Sequence, residues 1–76
     1  MNINKIGNSV QFTDDKKMCV FPVGQIILIA NDESNTINVR LKASRKNVLT
    51  FNYQDVTNIE ASSATEAVET LSQIIN

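Results

Sequence analysis

The C-terminal end of the chain has a helical periodicity, and this limits the fold more than any other feature. Apolar residues recur there at the spacing of one buried helix stripe, at Ala64, Ala67, Val68, Leu71, Ile74 and Ile75. Ser63 and Glu66 match a capping box, in which each side chain bonds to the backbone amide of the other residue. The pattern predicts a helix over residues 64–75. Because a helix of about 12 residues is marginal alone in water, the stripe must pack on a sheet or another chain.

Before this helix, the hydrophobic pattern has the period of two that is typical of β-strands. The clearest alternation places Ile37, Val39 and Leu41 on one face. Residues 25–30 are continuously apolar, as expected for a strand covered on both faces. Pro22 should lie at a strand end or an edge, because it has no amide to donate. The pattern predicts five short strands, at residues 9–13, 18–21, 25–30, 36–42 and 48–53.

The short polar loops between these segments favour an antiparallel meander. We therefore expect a single α+β domain over residues 1–76, in which an open or half-barrel sheet is capped by one C-terminal amphipathic helix. A chain of this length buries only about 60 % of its unfolded surface, so its margin of stability is small. Cys19 is the only cysteine and there is no histidine, so neither an internal disulfide nor a four-ligand zinc site is predicted. Small domains of this kind often gain stability from a partner.

The residue types that usually perform catalysis are absent or lie in predicted turns. Without histidine, the Ser–His and Cys–His pairings of nucleophilic catalysis are impossible. Cys19 falls in an apolar strand pattern and is expected to act as a small hydrophobe. The carboxylate pairs Asp14–Asp15 and Asp32–Glu33 lie in turns, where acidic residues commonly make local hydrogen bonds. We predict no enzymatic activity, no cofactor and no metal.

One basic cluster is present, on a predicted strand exterior and the turn that follows it, at Arg40, Lys42, Arg45 and Lys46. A basic sheet face can follow a phosphate backbone, so a small nucleic-acid-binding module is the alternative function. The competing interpretation is a solvated strand face, where such charges discourage edge-to-edge aggregation. The aromatic residues needed to stack on bases mostly fall on inward positions, and the net charge is only −1.

No segment has the features of a signal peptide or a membrane span. Residues 1–5 lack a long apolar core. The most apolar stretch, residues 20–30, is interrupted by Pro22 and Gly24 and is shorter than the roughly 20 residues that a span requires. We expect a soluble protein in a virion or the host cytoplasm, without secretion through a signal peptide and without a membrane partner.

Residues 49–57 and 62–71 together resemble the ends of small bacteriophage virion proteins. The first segment, LTFNYQDVT, reads as a strand that leads into an Asp-Val-Thr turn, and the second, SSATEAVETL, reads as a small-residue cap before a terminal helix. The resemblance implies a structural copy in a capsid, portal or tail assembly. It leads to our main hypothesis, a non-enzymatic assembly subunit whose partners are protein: copies of itself or a larger virion protein.

Overall fold

The computed structural model describes all 76 residues and contains six strands and one α-helix. The strands are β1 (Asn2–Ile6), β2 (Ser9–Thr13), β3 (Met18–Pro22), β4 (Ile26–Asn31), β5 (Thr36–Leu41) and β6 (Asn47–Asn52), and the helix is α1 (Ala64–Ile75). They form two antiparallel sheets, an N-terminal sheet ordered β1-β2-β3 and a C-terminal sheet ordered β4-β5-β6. The α+β class is confirmed, whereas the five-stranded meander is only roughly matched, because there is a sixth strand and the strands divide into two sheets.

The additional strand is β1, whose sequence does not alternate in the expected way. Ile3 pairs with Phe12 and Lys5 pairs with Val10, so Ile3 and Lys5 lie on the inner side of the sheet. Ile6 falls on the opposite side and is exposed. A lysine at an inner position and an isoleucine at an outer one hide the period of two on which a strand prediction depends.

The chain passes from one sheet to the other through residues 22–25. Pro22 is the last residue of β3, which is an edge strand. A 3-10 turn over Val23–Gln25 then leads into β4. The inner faces of both sheets contribute to one core, where the ring of Phe12 lies 5.9 Å from that of Phe21 and 6.2 Å from that of Phe51. Aromatic contacts therefore join the two sheets at the centre of the protein.

Strand β4 is not buried on both faces as its continuous apolar sequence suggests. Every apolar residue in it is half-buried. Ile26, Leu28 and Ala30 pack against the core, while Ile27 and Ile29 lie on the opposite face of the sheet. The strand is covered on one side only, because the single helix lies on that side.

Two side chains secure the start of α1. The Ser63 hydroxyl accepts a hydrogen bond from the Glu66 amide (3.1 Å). The Glu66 carboxylate accepts from the Ser62 hydroxyl (2.8 Å), so the expected return bond to the Ser63 amide is replaced. Asp32, in the turn between β4 and β5, accepts from the Thr65 amide (2.9 Å) and hydroxyl (2.6 Å). This second cap ties the C-terminal sheet to the helix.

The helix closes the side of the core between β4 and β1, and it also touches β5. Its fully buried positions are Ala64, Ala67, Leu71 and Ile75. Two alanines in this stripe let the helix backbone approach the sheets closely. No helix of this protein has the length and apolar character that crossing a membrane requires.

Candidate interaction surface

The outer face of the N-terminal sheet is a surface without charge. The pairing registers of β1, β2 and β3 place nine side chains on it in three rows: Ile6, Ser9 and Pro22; Asn4, Gln11 and Val20; Asn2, Thr13 and Met18. None of the nine is acidic or basic. The nearby charged residues lie in the β2–β3 turn or, like Lys5, on the other side of the sheet.

This outer face also holds most of the large exposed apolar side chains. Ile6 is 56 % exposed, Met18 58 % and Val20 47 %. The remaining one, Val48, is 38 % exposed and lies on β6. Gln11, at the centre of the outer face, is half-buried. Apolar side chains gathered on one face, with polar but uncharged neighbours, are typical of a site where another molecule binds.

The four outer strands of the two sheets differ in how their edges are covered. Residues 55–58 run along β1, where the Thr57 amide donates to the Met1 carbonyl (2.7 Å). The helix lies close to β4, which also has no strand on its second side. Strands β3 and β6 each pair with one neighbour only, so their second edges are free of other strands. A free edge presents backbone donors and acceptors to a partner.

The hydrogen bonds at the two ends of the β2–β3 ladder fix the direction of the backbone groups in between. The Asp14 amide donates to the Lys17 carbonyl (3.0 Å), and the Val23 amide donates to the Asn8 carbonyl (2.8 Å). Both pairs follow the register of the two strands. Since hydrogen-bonded pairs alternate with non-bonded pairs along an antiparallel ladder, every second pair between these ends is a bonded one.

It follows that Cys19 and Phe21 direct their backbone groups toward β2. Met18, Val20 and Pro22 direct theirs toward the free edge. That edge offers two amides, from Met18 and Val20, and three carbonyls, because Pro22 has no N–H. The same three residues carry their side chains on the uncharged outer face.

The free edge of β6 has different surroundings. Residues 49–52 form one wall of an open cleft of about 600 Å³, and Asp14, Lys17 and Asp55 contribute to the others. Asp14 accepts hydrogen bonds from the amides of Lys16 (2.8 Å) and Lys17 (2.9 Å), and these bonds lower the pKa of its carboxyl group. The β6 edge is thus bordered by charges of both signs.

The four basic residues of the predicted nucleic-acid site lie on β5 and in the turn that follows it. Arg40 lies on the outward face of β5, where its Nε donates to Asn47 (3.3 Å). Lys42 lines a cleft beside Ile75 at the end of the helix. Arg45 and Lys46 are exposed in the β5–β6 turn, Arg45 with a φ of 56°. The aromatic side chains that could stack on bases are elsewhere: Phe12, Phe51 and Tyr53 are buried and Phe21 is half-buried.

The remaining candidates for chemistry have local structural contacts. Cys19 is half-buried against the core. The hydroxyl and amide of Thr65 lower the pKa of Asp32, whose carboxylate caps the helix. Acidic residues and the cysteine do not converge anywhere in groups of three or more that could hold a metal ion.

Sequence patterns did not identify the outer face as a surface, although one signal was available. Residues 18–21 are all apolar. Because alternate residues of a strand lie on opposite faces, both faces of this strand are apolar, and only one of them can contact the core. Only the register of β1 and β2 reveals that the outward positions lie beside uncharged neighbours. No protein-family model matches the sequence, and no curated protein or solved structure matches it either.

Proposed function

We propose that this chain is a non-enzymatic assembly subunit, a small structural component of a bacteriophage particle. The observation that carries the proposal is the uncharged outer face with its exposed Ile6, Met18 and Val20. Covering such side chains contributes about 25 cal/mol for each Å² of apolar area removed from water. No charged group on that face has to lose its hydration when a partner binds.

The thin core gives the chain a second reason to associate. Only 12 residues are buried, and four of them belong to the helix. Domains of this size have little stability to spare. A partner that covers the outer face adds to the folding free energy by an amount that grows with the logarithm of its concentration relative to its Kd. The resemblance of residues 49–57 and 62–71 to the ends of small virion proteins supports a phage particle as the place of assembly.

The proposal can be tested by changing the centre of the outer face without changing its shape. Gln11→Glu introduces one charge at this half-buried position and replaces an amide by a carboxylate of nearly equal size. Gln54→Glu makes the same change at an exposed residue of the 3-10 turn that follows β6, and is the matched control. Both variants should fold, as circular dichroism can verify.

Native mass spectrometry at micromolar concentration then measures self-association and binding to the capsid, portal and tail proteins of the phage. We expect the wild-type chain and Gln54→Glu to form the same complexes, and Gln11→Glu to bind at least tenfold more weakly. A wild-type chain that remains a monomer and binds none of these virion proteins would refute the proposal. Equal binding by the two variants would refute the assignment to the outer face.

A further inference from the structure

We infer that two copies of this chain pair through the free edges of β3, antiparallel and centred on Val20, so that their N-terminal sheets join into one. This inference rests on the proposed function and specifies one partner, a second copy. The starting observation is the backbone of β3, whose outward-directed groups belong to Met18, Val20 and Pro22.

The outward amides all find acceptors when the two strands are centred on Val20, and only the Met18 carbonyl of each copy has no amide opposite it, because Pro22 has none. When Val20 lies opposite Val20 of the second copy, each Val20 amide donates to the Val20 carbonyl of the other copy. Met18 then lies opposite Pro22 of the second copy, and its amide donates to the Pro22 carbonyl. Every outward amide of both strands thereby obtains an acceptor, as antiparallel pairing requires.

Neighbouring registers are less favourable for reasons that the sequence makes specific. A centre on Cys19 also pairs the amides of Met18 and Val20, but it brings Lys16 and Lys17 opposite Pro22 and Phe21 of the second copy. A centre on Phe21 places Met18 opposite Gly24, outside the strand. If one strand is moved along the other by one residue, an inward side chain lies opposite an outward one, which a continuous sheet does not allow. A centre on Pro22 brings together two residues that have no amide to donate. When Met18 lies opposite Met18 of the second copy, Val20 lies opposite Lys16. Pro22 then extends past the β2–β3 turn of the second copy.

Electrostatics also permit this pairing. No residue from Met18 to Pro22 is charged. The nearest lysines are Lys16 and Lys17. In each copy they lie across from Gly24 and Val23 of the other copy, so the two pairs of lysines are at opposite ends of the paired strands. Like charges therefore do not meet in this register.

The joined sheet would carry its apolar side chains at the centre of one face. The side chains of Val20 meet across the two-fold axis, and Met18 of each copy meets Pro22 of the other, because directly opposed residues of antiparallel strands project to the same side. The outer faces of both copies become one continuous surface for a larger virion protein.

Disulfide trapping tests the register directly. In a bonded antiparallel pair the Cα atoms are about 5.5 Å apart, within the range of about 4.4–6.8 Å that a disulfide spans. On a background of Cys19→Ala, the Val20→Cys variant should form covalent dimers under mild oxidation. Met18→Cys should not, since the two Met18 positions are four residues apart along the strands, about 14 Å. Val48→Cys, an exposed position on β6, is the control for random collision.

A second measurement examines the hydrogen bonds. Val20→Pro removes an amide that the monomer does not use, whereas Val20→Thr keeps the amide and the branched side chain. Sedimentation over a concentration series should show a dimer for the wild type and Val20→Thr, with at least a tenfold weaker dimer for Val20→Pro. Should Val20→Pro fail to fold, the trapping experiment alone decides.

The possible outcomes separate this inference from the proposed function. Efficient trapping at position 20 alone supports the inference. Equal trapping at positions 18, 20 and 48, preferential trapping at 48, or a wild type that stays monomeric up to millimolar concentration overturns it. In each of these cases the binding of virion proteins by Gln11→Glu and its control still tests the proposed function, because that measurement scores complexes with virion proteins and not the pairing of two β3 edges.

Discussion

Asn58 is hydrogen-bonded twice to the backbone of Ile3, as a neighbouring strand would be. The Ile3 amide donates to Asn58 Oδ1 (3.1 Å), and Asn58 Nδ2 donates to the Ile3 carbonyl (2.7 Å). The side chain of Ile3 is completely buried. A single side-chain amide therefore completes the outer edge of β1 where the sheet has no further strand, and it anchors the segment before the helix to the N-terminal sheet.

Asn58→Ala should destabilise the protein by about 1–3 kcal/mol, because it leaves both backbone groups of Ile3 without their partners. Asn58→Asp keeps the acceptor but places a carboxylate oxygen against the Ile3 carbonyl, so it should also be destabilising. Asn4→Ala, at an exposed position on the outer face, should change stability by less than about 0.5 kcal/mol. Urea denaturation followed by circular dichroism measures all three, and equal effects at positions 4 and 58 would contradict the role given to Asn58.

The turn between β1 and β2 depends on the conformation of Gly7. Its φ is +60°, whereas Asn8 is not among the residues with positive φ, which is the pattern of a two-residue type II′ hairpin turn. Gly7→Ala should therefore cost about 1–2 kcal/mol, since an L-residue is strained in this region.

Gly24 provides the matched control for Gly7. Its φ is not positive, and neither glycine has a heavy atom within 4 Å of where an added Cβ would lie. Gly24→Ala should leave the thermal midpoint nearly unchanged or raise it slightly, because alanine has less freedom in the unfolded chain. A loss of similar size in both variants would show that the turn conformation is not the cause.

Stability should depend on pH through Asp32. Hydrogen bonds from the hydroxyl and amide of Thr65 lower the pKa of Asp32 in the folded protein below the reference value of 3.8. A carboxyl group with a depressed folded pKa stabilises the fold above its unfolded pKa and loses this contribution as the pH falls through the folded value. The stabilisation from Asp32 is thus complete at pH 7 and disappears in acid below the reference value.

Asp32→Asn should accordingly lower the urea midpoint at pH 7, and its difference from the wild type should shrink as the pH falls below 3.8. Asp14, whose pKa is also lowered, is present in both proteins, so it cancels in this comparison. Glu33→Gln changes the net charge equally in the same turn at a residue that makes no hydrogen bond to Thr65, and should stay near the wild-type midpoint at pH 7. A difference for Asp32→Asn that is constant over the whole pH range would contradict the prediction.

Binding to nucleic acid, the alternative function, should be weak and sensitive to salt. Arg45 and Lys46 are adjacent and exposed, whereas Arg40 is half-buried and bonded to Asn47 and Lys42 lines a cleft beside Ile75. Two phosphate contacts give a slope of roughly −2 in a plot of log K against log salt for duplex DNA. Arg45→Glu combined with Lys46→Glu should abolish binding seen at low ionic strength, as fluorescence anisotropy can measure. Binding that persists at physiological salt, and is lost in Arg40→Glu with Lys42→Glu, would favour the nucleic-acid function.

The parts of the fold that follow from the sequence are those where two local patterns agree. The helix was predictable because the cap at Ser63 and the apolar stripe mark the same segment. Strand β5 was predictable because Ile37 and Val39 are buried and the residues between and beside them are not. Both patterns depend on neighbours within a few residues, which is the range at which periodicity is informative.

The remaining features depend on contacts between distant residues. The outward position of Ile6 follows from its pairing with Ser9, and the second cap of the helix comes from Asp32, 33 residues before Thr65. Likewise, Pro22 indicated a break in the chain but not that the break separates two sheets. The outer face could not be predicted from the sequence for the same reason, because Met18 and Val20 belong to a common surface only when β1 and β2 lie beside β3.

The link between Asn58 and Ile3 also has a kinetic consequence. It joins residues 55 positions apart, whereas all strand pairs within the two sheets join consecutive strands. Closing such a long loop costs more chain entropy than forming a hairpin, so we expect the hairpins to form early and this link to form late. Weakening the link should therefore accelerate unfolding and leave the refolding rate almost unaltered. The link between Asn58 and Ile3 therefore determines how long the native state persists more than how fast it forms.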